Sequence, residues 1–122
     1  MDAAEPDDGV IVDVVFEEGV LYLELANLSG RPALGVTSTF EPPLVDAAGR
    51  DVAKLRLFRK MEFLGPERRV RTLLDSAPGY FGRRAPTRTV VSVKYNRPGD
   101  RRFSTRSVTH DLAVYRELAY RT

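Results

Sequence analysis

One stretch constrains this chain more than any other: residues 21–44, LYLELANLSGRPALGVTSTFEPPL. Leu21, Leu23 and Leu25 share one side of an extended segment, and Tyr22, Glu24 and Ala26 share the other, the period-two pattern of a half-buried strand. Ser29-Gly30-Arg31-Pro32 supplies a turn. A second strand then runs to Phe40, and Pro42-Pro43 stops it, because proline cannot donate to a ladder. Two alternating strands on a tight turn make an antiparallel β scaffold.

The flanking sequence extends the pattern. Val10, Val12, Val14 and Phe16 form the apolar phase of a first strand, and Glu17-Glu18-Gly19 turns it into the leucine strand as a hairpin. The third strand, residues 33–40, has Leu34, Val36 and Phe40 inward and Gly35, Thr37 and Thr39 outward. A loop at residues 46–51 leads to a strand near residues 52–58, and Phe63-Leu64-Gly65-Pro66-Glu67 reads as an apolar anchor followed by a turn. Val70, Thr72 and Leu74 mark the next strand. Residues 75–86 read as irregular, with Tyr80 and Phe81 as plugs at the sandwich end. Thr89, Val91, Val93 and Tyr95 mark a further strand, and the turn at residues 96–100 returns the chain into a last one. There Phe103 and Val108 are five apart, so a regular strand cannot turn both inward; a bulge re-phases it or one of the two is exposed.

The period changes at the end. Leu112, Tyr115, Leu118 and Ala119 recur at three to four residues, which predicts a short helix over residues 111–120 with Asp111 as its N-cap and Arg116, Glu117 and Arg121 on its wet side. So short a helix must dock on the sandwich or on a partner, and Leu112, Tyr115 and Leu118 are the docking residues. The fold expected is an all-β, immunoglobulin-like antiparallel sandwich of about seven strands with a short C-terminal helix. Its parts are an acidic disordered lead-in (1–9), the sandwich (10–110) and the helical segment (111–122).

Composition bears on setting and partner. A chain of 122 residues with 43% apolar and 30% charged residues suits one globular domain. There is no cysteine, so no disulfide or thiolate site holds the fold, and a reducing compartment suits it. No apolar run approaches the roughly 20 residues of a membrane span, and the acidic first ten residues are unlike a signal peptide; a cytoplasmic location follows. The net charge of +2 hides a segregation: residues 1–51 hold eleven acids against two arginines, and residues 52–122 hold seventeen basic residues against six acids. Either the halves neutralise each other within one fold, or a basic surface is presented to nucleic acid or another anionic surface.

The run Asn27-x-x-Gly30-x-Pro32-Ala33-x-x-Val36, followed by Phe40-x-Pro42-Pro43-Leu44, resembles bacterial immunoglobulin-like modules, among them cell-adhesion-related domains and soluble domains of uncharacterised proteins. Residues 63–67 are similar to a later turn of those modules, with glycine and proline in reversed order. The resemblance covers residues 20–70 and implies a binding or scaffolding module; it transfers no catalytic residue.

Chemistry-bearing residues are few. His110 is the only histidine, and with Asp111 and one of Ser76, Ser104 or Ser107 it offers the sole acid–base constellation, without a surrounding motif. No metal-ligand spacing and no phosphate-binding glycine loop occur, so no cofactor is expected. Asn27, at the mouth of its turn, is expected to bond local backbone, and Tyr22 is a candidate outward contact. In an immunoglobulin-type arrangement Glu24 shares a sheet with Arg69 and Arg71 and can pair with them. Arg88, Lys94, Arg102 and Arg106 then form an uncompensated basic face on the other sheet. The leading function is a non-enzymatic module engaging a protein partner or larger assembly; the alternative is a nucleic-acid or anionic-surface binder using that face, and an enzyme using His110 and Asp111 comes third.

Overall fold

The computed structural model describes residues 9–119. Seven strands form two antiparallel sheets: β1 (Val10–Glu17), β2 (Val20–Asn27) and β5 (Arg69–Ser76) in the order β1-β2-β5, and β3 (Ala33–Glu41), β4 (Met61–Leu64), β6 (Arg88–Asn96) and β7 (Ser104–Asp111) in the order β4-β3-β6-β7. Three short helices, α1 (Arg56–Arg59), α2 (Ala77–Gly82) and α3 (Ala113–Ala119), close the ends.

The β1–β2 hairpin follows directly from its sequence. Glu17 pairs with Val20, leaving the two-residue loop Glu18-Gly19, and both loop residues take positive φ (51° and 79°), the twist-matched turn of a right-handed ribbon. The apolar phases of the strands meet between the sheets. Val14, Leu23, Val36, Val91 and Val93 are all buried, together with Leu21, Leu25, Phe40, Leu64, Leu74 and Tyr95. Leu44, Val52 and Phe58 add to the same core from the β3–β4 connection, and Tyr80 and Phe81 from α2.

Several elements differ from the sequence reading. Residues 52–58 are no strand: Val52–Lys54 is a 3-10 turn and α1 follows it. Val52, Leu55 and Phe58, the residues it turns to the core, are three apart, the period of a tight helical turn. Asp46 and Asp51 replace the missing ladder bonds, since Asp46 Oδ1 accepts from the amides of Ala48 and Arg50, and Asp51 Oδ1 from that of Ala53. Burial alone would raise the Asp46 carboxyl, but these bonds and the Arg50 guanidinium hold it below its ordinary value. In the next segment the anchor is Leu64, while Phe63 points outward and is 60% exposed.

Within residues 75–86, read as irregular, α2 forms because Ser76 caps it, accepting from Gly79 N at 3.0 Å, with Pro78 in its first turn. The Tyr80 hydroxyl donates to the Pro86 carbonyl, and burial pushes its pKa up to about 12, against the attraction of Arg83 and with the help of the Asp75 charge.

The N-terminal boundary moves by one residue: Gly9, assigned to the disordered lead-in, is buried, and its carbonyl accepts from Leu28 N at 2.9 Å. Residues 1–8 of that lead-in lie outside the described residues. At the other end Asp111 Oδ1 accepts from Ala113 N as an N-cap should, Leu112 is fully buried, and the Tyr115 ring lies 5.6 Å from that of Phe16. The helix docks at home, against α2 and β1. Leu118 is not part of that contact; it is 45% exposed, beside the similarly exposed Val114 one turn back. The expected extension to Tyr120 and the placement of Arg121 fall outside the described residues. Among the described residues no helix is long and apolar enough to cross a membrane.

Candidate interaction surface

The outward faces of the two sheets are built differently. On the three-stranded sheet Glu24 stands opposite Arg71, with Arg69 two residues along β5. Its carboxylate receives Arg69 Nη1 at 3.1 Å and Arg71 Nε at 3.3 Å, and Arg71 reaches Glu17 at 3.2 Å. Under these side chains Glu24 is only 6% exposed although its strand face points outward. Tyr22, a candidate contact residue by sequence, lies 4.9 Å beneath the Arg71 guanidinium. The cations here are occupied, as the expected cross-strand pairing requires.

The four-stranded sheet owes its outer face to one residue. Leu34 pairs with Asn96 and Thr37 with Lys94, so β3 carries one residue more than β6 across that interval. Gly35 sits in this bulge with φ +55°, a left-handed conformation that suits glycine. The extra residue changes the phase of the strand. Ala33 becomes fully buried and Leu34, expected inward, is only half-buried and shares its row with Phe63 of β4, while Val36 and Phe40 keep their inward places. At the same end Phe103 stands just before β7 and is 56% exposed, which settles the conflict in the last strand without a bulge.

A Cβ built on Gly35 would meet nothing within 4 Å, and the space over it is a notch of about 260 Å³ lined by Gly35, Thr37, Lys60, Lys94 and Phe103. Lys94 Nζ lies 4.5 Å from the Phe103 ring centroid. Among the described residues no carboxylate engages Lys60 or Lys94. Next to the notch the face carries hydroxyls, Thr39 and the Ser92–Ser107 pair at 2.8 Å.

The four basic residues expected to share one face do not. Lys94 and Arg88 project outward from β6, and Arg88 stands opposite Asp111 in register. Arg102 belongs to the hairpin loop before β7 rather than to the strand. Arg106 is on the other side: it pairs with inward Val93, and its side chain lies against Gly9. The inward phase of β7 is set by Val108, which pairs with Val91, so Arg106 and His110 turn toward β1.

His110 Nε2 is accordingly bonded to the Val12 carbonyl at 2.7 Å and ties β7 to β1, while Asp111 caps α3. Ser76 caps α2 and Ser107 bonds Ser92. Asn27 bonds local backbone as expected, donating to the Arg31 carbonyl and accepting from Ser29 N, but its amide also reaches the distant Leu64 and Gly65 carbonyls, which was not expected. A larger hollow of about 380 Å³ beside it is lined by Asn27, Leu28, Glu67 and Arg69, of which Asn27 and Arg69 are already engaged. Among the described residues no cluster of three His, Cys, Asp or Glu could hold a metal.

Sequence reasoning missed Lys60, Phe63 and Phe103 as members of one surface. It also missed that Arg97, placed in a turn, is 2% exposed, with Nη1 donating to the Arg31 and Pro32 carbonyls. One signal was present: an isolated glycine inside an alternating strand marks a bulge.

Comparison with curated proteins returns no match, and comparison with solved structures returns none either. Residues 1–116 match the family model described as a domain of unknown function (DUF8453), and the chain belongs to that family.

Proposed function

We propose that this chain is an immunoglobulin-like, non-enzymatic module that binds a protein partner through the outer face of its four-stranded sheet. The observation that carries the reading is the pair Phe63 and Phe103, two phenylalanines more than half exposed, Phe103 lining the Gly35 notch and Phe63 opposite Leu34 in register. Exposed aromatic side chains gathered on one face serve as contact anchors, and burying them drives association. The strand order β1-β2-β5 over β4-β3-β6-β7 puts the first, second and fifth strands opposite the third, sixth and seventh, which supports the immunoglobulin-like reading. In this reading the module works in the cytoplasm, where a cysteine-free fold suits the reducing conditions.

One observation favours a nucleic-acid reading: Phe103 stands beside Lys94, a stacking ring next to a cation, where the sequence had placed no aromatic residue with certainty. The lysine, however, already covers that ring, and the neutral Thr39, Ser92 and Ser107 stretch offers no track of cations for a phosphate backbone. The protein partner is therefore the stronger reading.

Affinity capture from native lysate, with and without nuclease, compares the wild-type chain with the double variant Phe63→Ser/Phe103→Ser. The expected result is a protein captured despite nuclease and lost with the variant, with shallow salt dependence. Nuclease-sensitive capture, with affinity falling by roughly 0.9 log units per log unit of salt for each duplex phosphate contacted, would replace the reading by the nucleic-acid one.

A further inference from the structure

We infer that the notch over Gly35 receives an acidic side chain of the partner, a glutamate or aspartate adjacent in its chain to an apolar residue. The inference rests on the protein-partner reading and names the chemistry of the segment recognised. The notch, at about 260 Å³, is below the usual range of roughly 300–1,000 Å³ for small-molecule sites, and it suits one or two side chains of a docked segment.

Its floor is made by absence. The bulge removes a side chain from the outer row at Gly35, and the neighbouring positions supply Thr37, Lys60, Lys94 and Phe103 around the gap. Two ammonium groups thus border the depression, and no carboxylate of the described residues, Glu62 of the neighbouring β4 included, forms an ion pair with either. Charge complementarity selects an anion. Lys94 is drawn over the Phe103 ring at 4.5 Å, so it is held at the notch. A carboxylate there would meet both lysines, while the residue next to it packs on the part of Phe103 that Lys94 leaves exposed, or reaches Leu34 and Phe63.

The chain already shows how it treats a compensated site. On the opposite sheet Glu24 draws Arg69 and Arg71 over itself and closes the surface. The notch has two cations that no acid of the described residues pairs. The partner supplies that acid.

The probe is the blocked pentapeptide Ala-Glu-Phe-Glu-Ala, with Ala-Gln-Phe-Gln-Ala as its uncharged match, titrated to millimolar concentration into the isotope-labelled chain and followed by backbone amide NMR shifts. Saturable shifts at Gly35, Thr37, Lys60, Lys94 and Phe103 are expected. An exposed ion pair is worth about threefold in affinity and two are lost, so the glutamine peptide should bind about tenfold more weakly. Lys60→Glu/Lys94→Glu should abolish binding of the glutamate peptide and accept Ala-Lys-Phe-Lys-Ala instead.

Equal binding of the first two peptides, shifts confined to another surface, or no binding at millimolar concentration would overturn the inference. If the inference fails while Phe63→Ser/Phe103→Ser still loses the captured protein, the face is an interface without an acid-specific notch. If that double variant keeps its partner, the protein-partner reading itself falls.

Discussion

The two outward faces of this sandwich show opposite ways to manage charge on a sheet. On the three-stranded sheet a single glutamate gathers two arginines, and a second acid, Glu17, also holds Arg71. On the four-stranded sheet Lys60 and Lys94 have no ion-pair partner among the described residues, and Phe63 and Phe103 stay more than half exposed. The net charge of the chain is small, so the difference lies in distribution rather than amount. A face whose charges are internally compensated offers little to a partner; one left uncompensated beside exposed aromatic rings retains the means to bind.

Both faces rest on one core, and the largest effect should come from there. Leu23, fully buried at the centre of β2, should cost about 2–5 kcal/mol on Leu23→Ala, read from urea unfolding. A loss below 1 kcal/mol, on the order of a surface change, would mean that the sheets do not pack as described. The two faces would then have no common support.

The end of the sandwich should respond to alkali. Tyr80 is neutral and hydrogen-bonded when folded, and its pKa is raised from about 10 to about 12. The unfolded chain releases this proton first. The contribution is therefore fully present below pH 10 and is lost as pH rises through about 12, on the order of 2–3 kcal/mol. Tyr80→Phe should be less stable at neutral pH by about 1 kcal/mol and should lose less between those limits. Parallel pH curves for the two proteins would refute this.

The contrast between the faces is tested by paired substitutions. Glu24→Ala strands two arginines and should cost about 1–2 kcal/mol, a modest figure because both guanidinium groups can rehydrate. Lys60→Ala/Lys94→Ala, on the open face, should change stability by less than about 0.5 kcal/mol. Equal losses from the two substitutions, measured by unfolding at low and moderate salt, would erase the distinction.

Much of the fold was legible because alternation in β1, β6 and the apolar phase of β2 runs from turn to turn, and in β5 breaks only at its end, where the register shifts at Leu74. Where alternation breaks, reading failed for local reasons. In β3 the bulge at Gly35 moves Leu34 off the inward phase, and nothing in the letters distinguishes a bulged glycine from a regular one except its isolation. In β7 the choice between Phe103 and Val108 decided which way Arg106 points, and only pairing with β6 makes that choice. At residues 52–58 carboxylate caps from Asp46 and Asp51 substituted for a ladder. The surface was less legible than the fold because its parts are distant in sequence. Lys94 could be placed outward by parity alone, but Lys60, Phe63 and Phe103 join it only once β4 pairs with β3 and the β6–β7 hairpin closes.

The bulge itself can be probed. Gly35→Ala adds a methyl group into open space, so any cost comes from the left-handed backbone, about 1–2 kcal/mol, and Gly35→Asn should cost less because asparagine tolerates that conformation. If alanine is neutral, the bulge has relaxed and Leu34 has changed phase, which the β3 amide shifts would reveal.

The smallest expected effect lies on the inner side of the open sheet, at Ser38. Its side chain is buried between Val36 and Phe40 on the inward phase of β3, and among the described residues its hydroxyl has no hydrogen-bond partner. On the outer side of the same sheet Thr39 Oγ1 donates to the Ser92 carbonyl, and the Ser92 and Ser107 hydroxyls bond each other. A buried hydroxyl left unpaired is destabilising, so Ser38→Ala should gain up to about 1 kcal/mol, whereas Ser92→Ala should lose less than about 0.5 kcal/mol. Paired urea titrations at one temperature decide the matter. Destabilisation by Ser38→Ala beyond about 1 kcal/mol would show that the hydroxyl is satisfied in solution by a bound water, and that the inner side of this sheet is as closed as the outer side of its neighbour.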